Sequence, residues 1–491
     1  MATDERNTSH FRFDERFTVA LSALAFICLV VVTIITGLCI LEFPGISPKY
    51  LVVFPALLLG ITIFFVVSKA PEVLVHLCLM GAILDQWEKL AFTGIPYLTA
   101  TKLLFLVGLA VLLLRSVVSR ENRPPMKFPA AALAYLPFSL LCLVSALAFA
   151  YSLRAGLRWV TAPVTLPLFC IVLTQFVPSE KAALRVLKGF VLYSFFPMAV
   201  ASLEYVLGIR LAGPTDFQIL GIADIFRVGA NYDNPNDFVV LMIFSMPILL
   251  LWMVQSKKLL PRLLLLAGFL LQAFILWKTY SRSGYLAVGF SLVAIAWLGR
   301  GGVRRFGIAV SLLACVVFMC TPDVKNRLIT MMGIRTESEG QAQALASVNI
   351  RKQLLEVGTK EFMKHPFFGV GFSNIGPLAQ TYSSVLYSRL TVECVYLEIL
   401  AEMGLIGFSA YCLFLIVAFR AMIKGLERCR GRPEVEPIFV GLAAAFCGYA
   451  FKGLFDTTLT DNLPWVLLGV MVHLGHEQHQ INSTESSPSD E

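Results

Sequence analysis

The 491 residues are 57% hydrophobic and 15% charged, where soluble domains carry about 25% charged residues. With mean hydropathy +0.76 the chain has more apolar surface than a soluble fold of this size buries, so lipid solvates most of it and a soluble enzyme is excluded. The net charge of +8 raises nucleic acid as a partner, but the placement of that charge argues against it, as the spans show.

The first apolar run, 17–41, follows a charged N-terminus. It is too long for the apolar core of a cleavable signal peptide and reads as a spanning helix. Runs at 50–67, 97–114, 129–150, 157–177, 184–207, 236–254, 261–279, 283–299, 306–321, 403–420 and 436–455 follow, with lengths suited to a hydrocarbon core of about 30 Å. Two shorter runs, 71–84 and 463–474, bring the count from 12 to 14. The fold class is therefore all-α: a polytopic membrane bundle of 12–14 transmembrane helices with one large ordered loop. The eleven cysteines lie almost all inside apolar runs and form no CxxC pair. They read as small buried apolar side chains rather than a disulfide frame or metal site.

Charge tests this threading. The connections on the N-terminal side hold 22 of the 40 lysines and arginines, among them Arg115, Arg120, Arg185, Lys257, Arg304 and Arg428. The short connections opposite hold only ten. The positive-inside rule then places both termini in the cytoplasm, and the basic charge is topological. The division expected is a membrane bundle over 1–321, a large periplasmic loop over 322–392, C-terminal helices over 393–475 and a polar, disordered cytoplasmic tail over 476–491. A loop of about 70 residues in so tight a protein is a functional candidate. Its stretch "NIRKQLLEVGTKEFMK" puts Ile350, Leu354 and Val357 on one helical face, and "HPFFGVGF" suits a packed turn. An ordered cap on the outer end of the bundle is predicted.

The stretch "WKTYSRSGYLAV" places Arg282 in a tight turn between two apolar helices. An ionisable residue at membrane depth is expensive and defaults to a functional role, although interfacial snorkelling is the competing reading. Ser281, Ser283 and Gly284 add hydroxyls and room for a close approach, which together make an anion cradle. In "FRVGANYDNPNDF", Arg227 offers a fork for phosphate or carboxylate. Asn236 or Asp237 is placed to cap a helix whose free N–H groups favour an anion. The alternative there is a plain cap beside a solvated arginine. Arg351 opens the amphipathic stretch of the loop and by itself reads as part of a solvated face. Three arginines on one face of a membrane bundle point to a polyanionic ligand, and no glycine loop for a soluble nucleotide accompanies them.

The order of "NPND" before a span, "SRSG" between two spans, then a long loop ending in "HPFFGVGFSN" and "VYLEILAEMGLIGF" resembles the bacterial O-antigen ligase and polysaccharide polymerase family over roughly residues 130–475. The resemblance implies an inverting integral-membrane glycosyltransferase of the inner membrane, with a periplasmic site and neither metal nor cofactor. Its implied donor is a glycan on undecaprenyl diphosphate, and its implied acceptor is a growing chain or lipid A core of lipopolysaccharide. Chain-length regulators and flippases are implied as accompanying proteins. Arg227, Arg282 and Arg351 match family arginines that hold the diphosphate, with Ser281 and Asn236 beside them, and Arg282 would stabilise the leaving group. Ligases carry His-Asn before the Tyr-Leu-Glu stretch, and the histidine is the candidate base. Here Glu393 and Cys394 stand there. Glu393 becomes the candidate catalytic base, with Glu398 and Glu402 competing. The departure favours polymerisation of O-antigen or exopolysaccharide repeats over ligation to lipid A core.

A transporter or flippase for the same lipid-linked sugars is the rival class. Its charges are expected near the bilayer centre, whereas Arg227, Arg282, Arg351 and Glu393 all fall at the outer face. Lys102, Glu204 and Lys452 are the exceptions, each within reach of a helix end.

Overall fold

The computed structural model describes residue 67 and residues 70–84, 100–118, 126–151, 153–211, 226–232, 234–320, 339–382 and 392–474. The expected span 17–41, nearly all of 50–67, loop residues 322–338 and 383–391, and the polar tail lie outside them. Among the described residues the regular structure is helical. In chain order the helices are α1 (Glu72–Leu84), α2 (Ala100–Val118), α3 (Ala130–Phe149), α4 (Leu153–Thr174), α5 (Glu180–Leu207), α6 (Pro235–Gln255), α7 (Leu259–Lys278) and α8 (Arg282–Leu298). They continue with α9 (Gly301–Cys320), α10 (Glu339–Lys364), α11 (Ile375–Tyr382), α12 (Val395–Cys429), α13 (Glu436–Lys452) and α14 (Asn462–Met471). Five of them, α3, α5, α6, α7 and α12, are long and apolar enough to cross a membrane. The weaker runs 71–84 and 463–474 are both helical, as α1 and α14.

Polar contacts sort the helix ends into two sets. At one end Arg432 forms an ion pair with Glu180, Gln255 donates to the carbonyls of Pro433 and Glu434, and Lys127 Nζ lies 3.3 Å from His473 Nδ1. This end carries Lys257, Lys258, Arg300, Arg304 and Arg305 and is called the basic end. At the other end Asn374 ties to the turn after α3, Glu204 binds the segment before α6, and Val395 pairs with Gly453 beyond α13. From α1 to α9 and from α12 to α14 the chain alternates between these two ends, which is the threading that the charge pattern predicted.

The centre of the bundle is α6, with 17 of its 21 residues buried, Phe238 through Leu251 without interruption. It packs between α5, α7, α8 and α13. Gly441 brings α13 close to α6, since a Cβ there would sit 2.9 Å from Pro247 O. Gly448 does the same toward α8, 2.6 Å from Ala287 O. Lipid tails are as apolar as leucine, so close backbone approach and buried polar contacts hold membrane helices together. One such contact is a chain at mid-span: Ser245 Oγ donates to Gln272 Oε1 (2.8 Å), and Gln272 Nε2 donates to Ser194 Oγ (3.0 Å). A second, aromatic core joins α3, α12 and α14 through Tyr135, Tyr411, Phe414 and Trp465.

The apolar run 403–420 sits inside a longer helix whose break lies at Gly404 (φ 62°, ψ −165°). Only glycine occupies that backbone region readily. The turn Pro366–Gly371 fills the break. Leu405 N donates to Pro366 O (2.8 Å), Val370 N to Ala401 O (3.0 Å) and Gly371 N to Glu402 O (2.9 Å). A Cβ on Gly404 would lie 2.3 Å from the Phe367 carbonyl, and one on Gly369 (φ 68°) would lie 2.3 Å from that of Glu402. The cap and α12 are thus stitched backbone to backbone. Ile350, Leu354 and Val357 of α10 bury together with Ala379 of α11, the face that the loop's rhythm predicted.

Candidate functional site

Two helix N-termini meet at the end opposite the basic one. The sequence placed the cap of α6 at Asn236 or Asp237. The structure corrects this: Asn234 is the cap, its side chain accepting from Asn236 N (2.9 Å), and Pro235 takes the first helical position. Proline's fixed φ and missing N–H suit that position, which puts the cap two residues before Asn236. Asn236 is thereby released to face its neighbours. Its Oδ1 accepts from Arg227 Nη2 (3.0 Å) and from Ser281 Oγ (2.8 Å). Ser281 caps α8 by accepting from Gly284 N (3.3 Å), lies 3.3 Å from Ser283 Oγ, and makes Arg282 the first residue of that helix. Arg227 Nε donates to Thr279 O (2.9 Å). Four of the predicted residues, Arg227, Asn236, Ser281 and Arg282, therefore converge where two helix dipoles present their positive ends.

The segment that carries Arg227 is itself built by Glu204, which the sequence marked as a charge inside an apolar run, and by Arg210, which it passed over. Glu204, fully buried, accepts from the backbone N–H of Gly229 (3.0 Å), Ala230 (2.8 Å) and Leu211 (2.8 Å). Arg210 donates to Arg227 O (3.2 Å) and Tyr232 O (2.6 Å), with its Nε 3.8 Å from Glu204. A carboxylate inside an apolar run was the visible signal for Glu204. Arg210 gave none, since it follows the run in a polar connection.

Arg351 and Glu393 form an ion pair with each other, with side chains 25% and 19% exposed. Glu393 has φ 51°, a left-handed conformation that strains a residue with a Cβ. Burial pushes its carboxyl above the usual glutamate range; Arg351 opposes this, Asp456 adds to it, and Lys452 opposes it. Lys452, fully buried at the end of α13, pairs with Asp456 (2.6 Å). Asp461, before α14, accepts from Tyr449 OH (2.9 Å) and is pushed up to about 6 by burial. Both competing glutamates are buried and have structural partners. Glu402 accepts from Ser373 N (2.8 Å) and Ile375 N (3.2 Å), which fastens the start of α11, and Glu398 hydrogen-bonds Thr457. Lys452 and Glu204 both lie near helix ends, as the sequence reading required of them.

Beside this polar end a cavity of about 590 Å³ runs between α8, α12, α13 and α14. Its walls are apolar and aromatic, from Tyr396 and Thr458 near Glu393 down to Trp297 and Met471 near the basic end. Among the described residues no group of three or more His, Cys, Asp and Glu is arranged to hold a metal ion.

Residues 267–412, from the middle of α7 to just past the break in α12, match the Wzy_C family model, O-antigen ligase. Over those residues the chain is similar to the O-antigen ligase family. The match spans under a third of the sequence, and it includes Ser281, Arg282, Arg351 and Glu393 but not Arg227 or Asn236. No curated protein matches the chain. The match supports a function of O-antigen ligase or polymerase type in polysaccharide biosynthesis, and the described residues, helical and with five helices long and apolar enough to cross a membrane, fit a polytopic membrane protein.

Proposed function

We propose that the chain is an integral-membrane glycosyltransferase that joins glycan repeats carried on a polyprenyl diphosphate. The observation that carries the reading is the junction of α6 and α8, where Arg227, Arg282, Ser281 and Asn236 gather at two positive helix ends. A diphosphate fits there, held by forked guanidinium groups and backbone N–H donors. The aromatic cavity beside Tyr396 takes the isoprenoid chain.

In the reaction, the bond between the anomeric carbon and the diphosphate oxygen breaks as an acceptor hydroxyl attacks from the opposite face. Arg227 and Arg282 stabilise the charge that develops on the departing diphosphate. The hydroxyl proton passes to Glu393. Arg351 has two roles in this scheme. It neutralises Glu393 in the empty enzyme and turns to the diphosphate when donor binds, which leaves the carboxylate free to accept the proton. The basic end faces the cytoplasm on the positive-inside rule, so the site faces the periplasm. A cysteine introduced at Gln341 should therefore react with a membrane-impermeant thiol reagent in whole cells above the parent's background.

Polymerisation is the finer reading, because Glu393 and Cys394 stand where the ligases carry His-Asn. The family model's own description favours the second reading, ligation to lipid A core. Deleting the gene separates them: single repeats on the surface with long chains lost mark a polymerase, and lipid-linked polymer accumulating unattached marks a ligase.

A further inference from the structure

The cap that carries Arg351 is fastened to the bundle at two places, and both are rimmed by exposed aromatics. At the break in α12, the Pro366–Gly371 turn exposes Phe367 (62%) and Phe368 (70%) next to Leu405 and Ile406, with Met363 one turn back. At the α3–α4 turn, Asn374 accepts from Tyr151 N (2.9 Å) and donates to Phe149 O (2.7 Å), and both Phe149 and Tyr151 project outward. Below the first site the exposed row of α12 continues through Leu413, Ile416 and Phe419 down a helix long and apolar enough to cross a membrane. Phe367 and Phe368 therefore begin where a lipid-facing surface begins. Lys360, Lys364 and His365 stand exposed on the same stretch. Aromatic rings with lysines beside them are the composition of the lipid–water boundary, where rings sit among the headgroups and ammonium groups meet phosphates.

We infer that the Pro366–Gly369 turn, with the α3–α4 turn, seats the cap in the outer boundary of the bilayer, its partner being the headgroup and upper acyl region of phospholipid. The seat sets the height of the site. From Lys364 back to Arg351 is about 20 Å of helix at 1.5 Å per residue. Fixing one end of α10 in the boundary thus fixes the level at which Arg351 and Glu393 meet a diphosphate lying at the same boundary. The height so set matters to the proposed diphosphate donor and rests on that reading, whereas the seat itself does not.

The test uses full-length protein in nanodiscs, with Phe368→Trp and Tyr151→Trp made separately and each spectrum read as its difference from the parent. Lipids brominated at the upper acyl positions should quench both added tryptophans, and aqueous iodide should quench them little. Phe367→Trp is the substitute position if Phe368→Trp does not fold. An added tryptophan in the cap that iodide quenches and bromolipid does not would place the turn in water and overturn the proposal. Quenching by neither would put the turn under another protein surface and overturn it equally. Quenching confined to Tyr151→Trp would limit the boundary to the α3–α4 turn, and the seat of the cap would fail.

Discussion

Arg227 and Arg351 lie at the same end of the bundle, yet Arg227 hydrogen-bonds neutral oxygens, Thr279 O and Asn236 Oδ1, while Arg351 pairs with the carboxylate of Glu393. The two oxygens orient Arg227 from the cradle's own helices. The carboxylate ties Arg351 to Glu393. The cradle at α6 and α8 is assembled in advance: helix caps, a buried Glu204–Arg210 clamp and the two bonds that Asn236 accepts hold it. The cap is docked, by contrast, through backbone hydrogen bonds at one helix break, side-chain bonds of Asn374 and Glu402, and an ion pair that must open for chemistry. Preorganised donors aimed at developing charge are the larger catalytic resource, because they need no rearrangement at the moment of reaction. The cradle should accordingly be the less forgiving half.

The sharpest break of that comparison is Arg282→Lys or Arg227→Lys. Lysine keeps the charge and loses the planar fork, and loss of one such stabilising group lowers kcat by about 100- to 1,000-fold. Turnover of purified variants on a lipid-linked donor measures it, with membrane insertion as the control. Activity at the parent's level in Arg282→Lys would return that residue to interfacial snorkelling. Glu393→Gln should come next, with a loss of roughly a hundredfold while donor binding persists. Normal transfer by Glu393→Gln together with failure of Glu402→Gln would move the base nine residues on, to a group now seen fastening α11.

Gly404→Ala probes the docking rather than the chemistry. The backbone there costs a residue with a Cβ about 1–3 kcal/mol, and the Phe367 carbonyl stands where the methyl group would go. Thermal unfolding should fall, and activity should fall with it as the cap lifts. Unchanged stability would mean that the turn and α12 are not stitched together in the working protein.

The sequence made these halves unequally readable. Helices were legible from apolar runs because membrane burial leaves no other backbone solution. The alternation of ends was legible from lysines and arginines. Which apolar helix is central was not: α6 and α7 are alike in composition, but 17 residues are buried in α6 and five of 20 in α7, since lipid and core are equally apolar solvents. Arg282 stood out because a charge between two apolar runs is costly. The link from Arg351 to Glu393, 42 positions apart, had no sequence signal, and neither did the Glu204–Arg210 clamp, because ion-pair partners follow from packing. The break at Gly404 showed only as an apolar run that began later than its helix.

The smallest expected effect is also the most selective, Arg351→Gln. Four influences act on the Glu393 carboxyl: burial and Asp456 push its pKa up, and Arg351 and Lys452 push it down. A base works deprotonated, so kcat/KM of the parent, which reports the free enzyme with Arg351 beside Glu393, should fall as pH drops through a pKa above the ordinary glutamate range. Removing Arg351 takes away a downward influence and should move that acid limb to higher pH. Stability has the same sign. A carboxyl whose folded pKa lies above its unfolded value stabilises the fold when protonated, below the unfolded pKa, and that contribution is lost as pH rises through the folded pKa. Arg351→Gln should therefore be less stable than the parent at neutral pH. Well above the limb, kcat should return toward the parent's value. KM for the lipid donor should stay raised there if Arg351 also meets the diphosphate. A limb that does not move would show that the group titrating in the rate is not Glu393. A moved limb with an unchanged KM would confine Arg351 to its carboxylate and leave the diphosphate to the cradle alone.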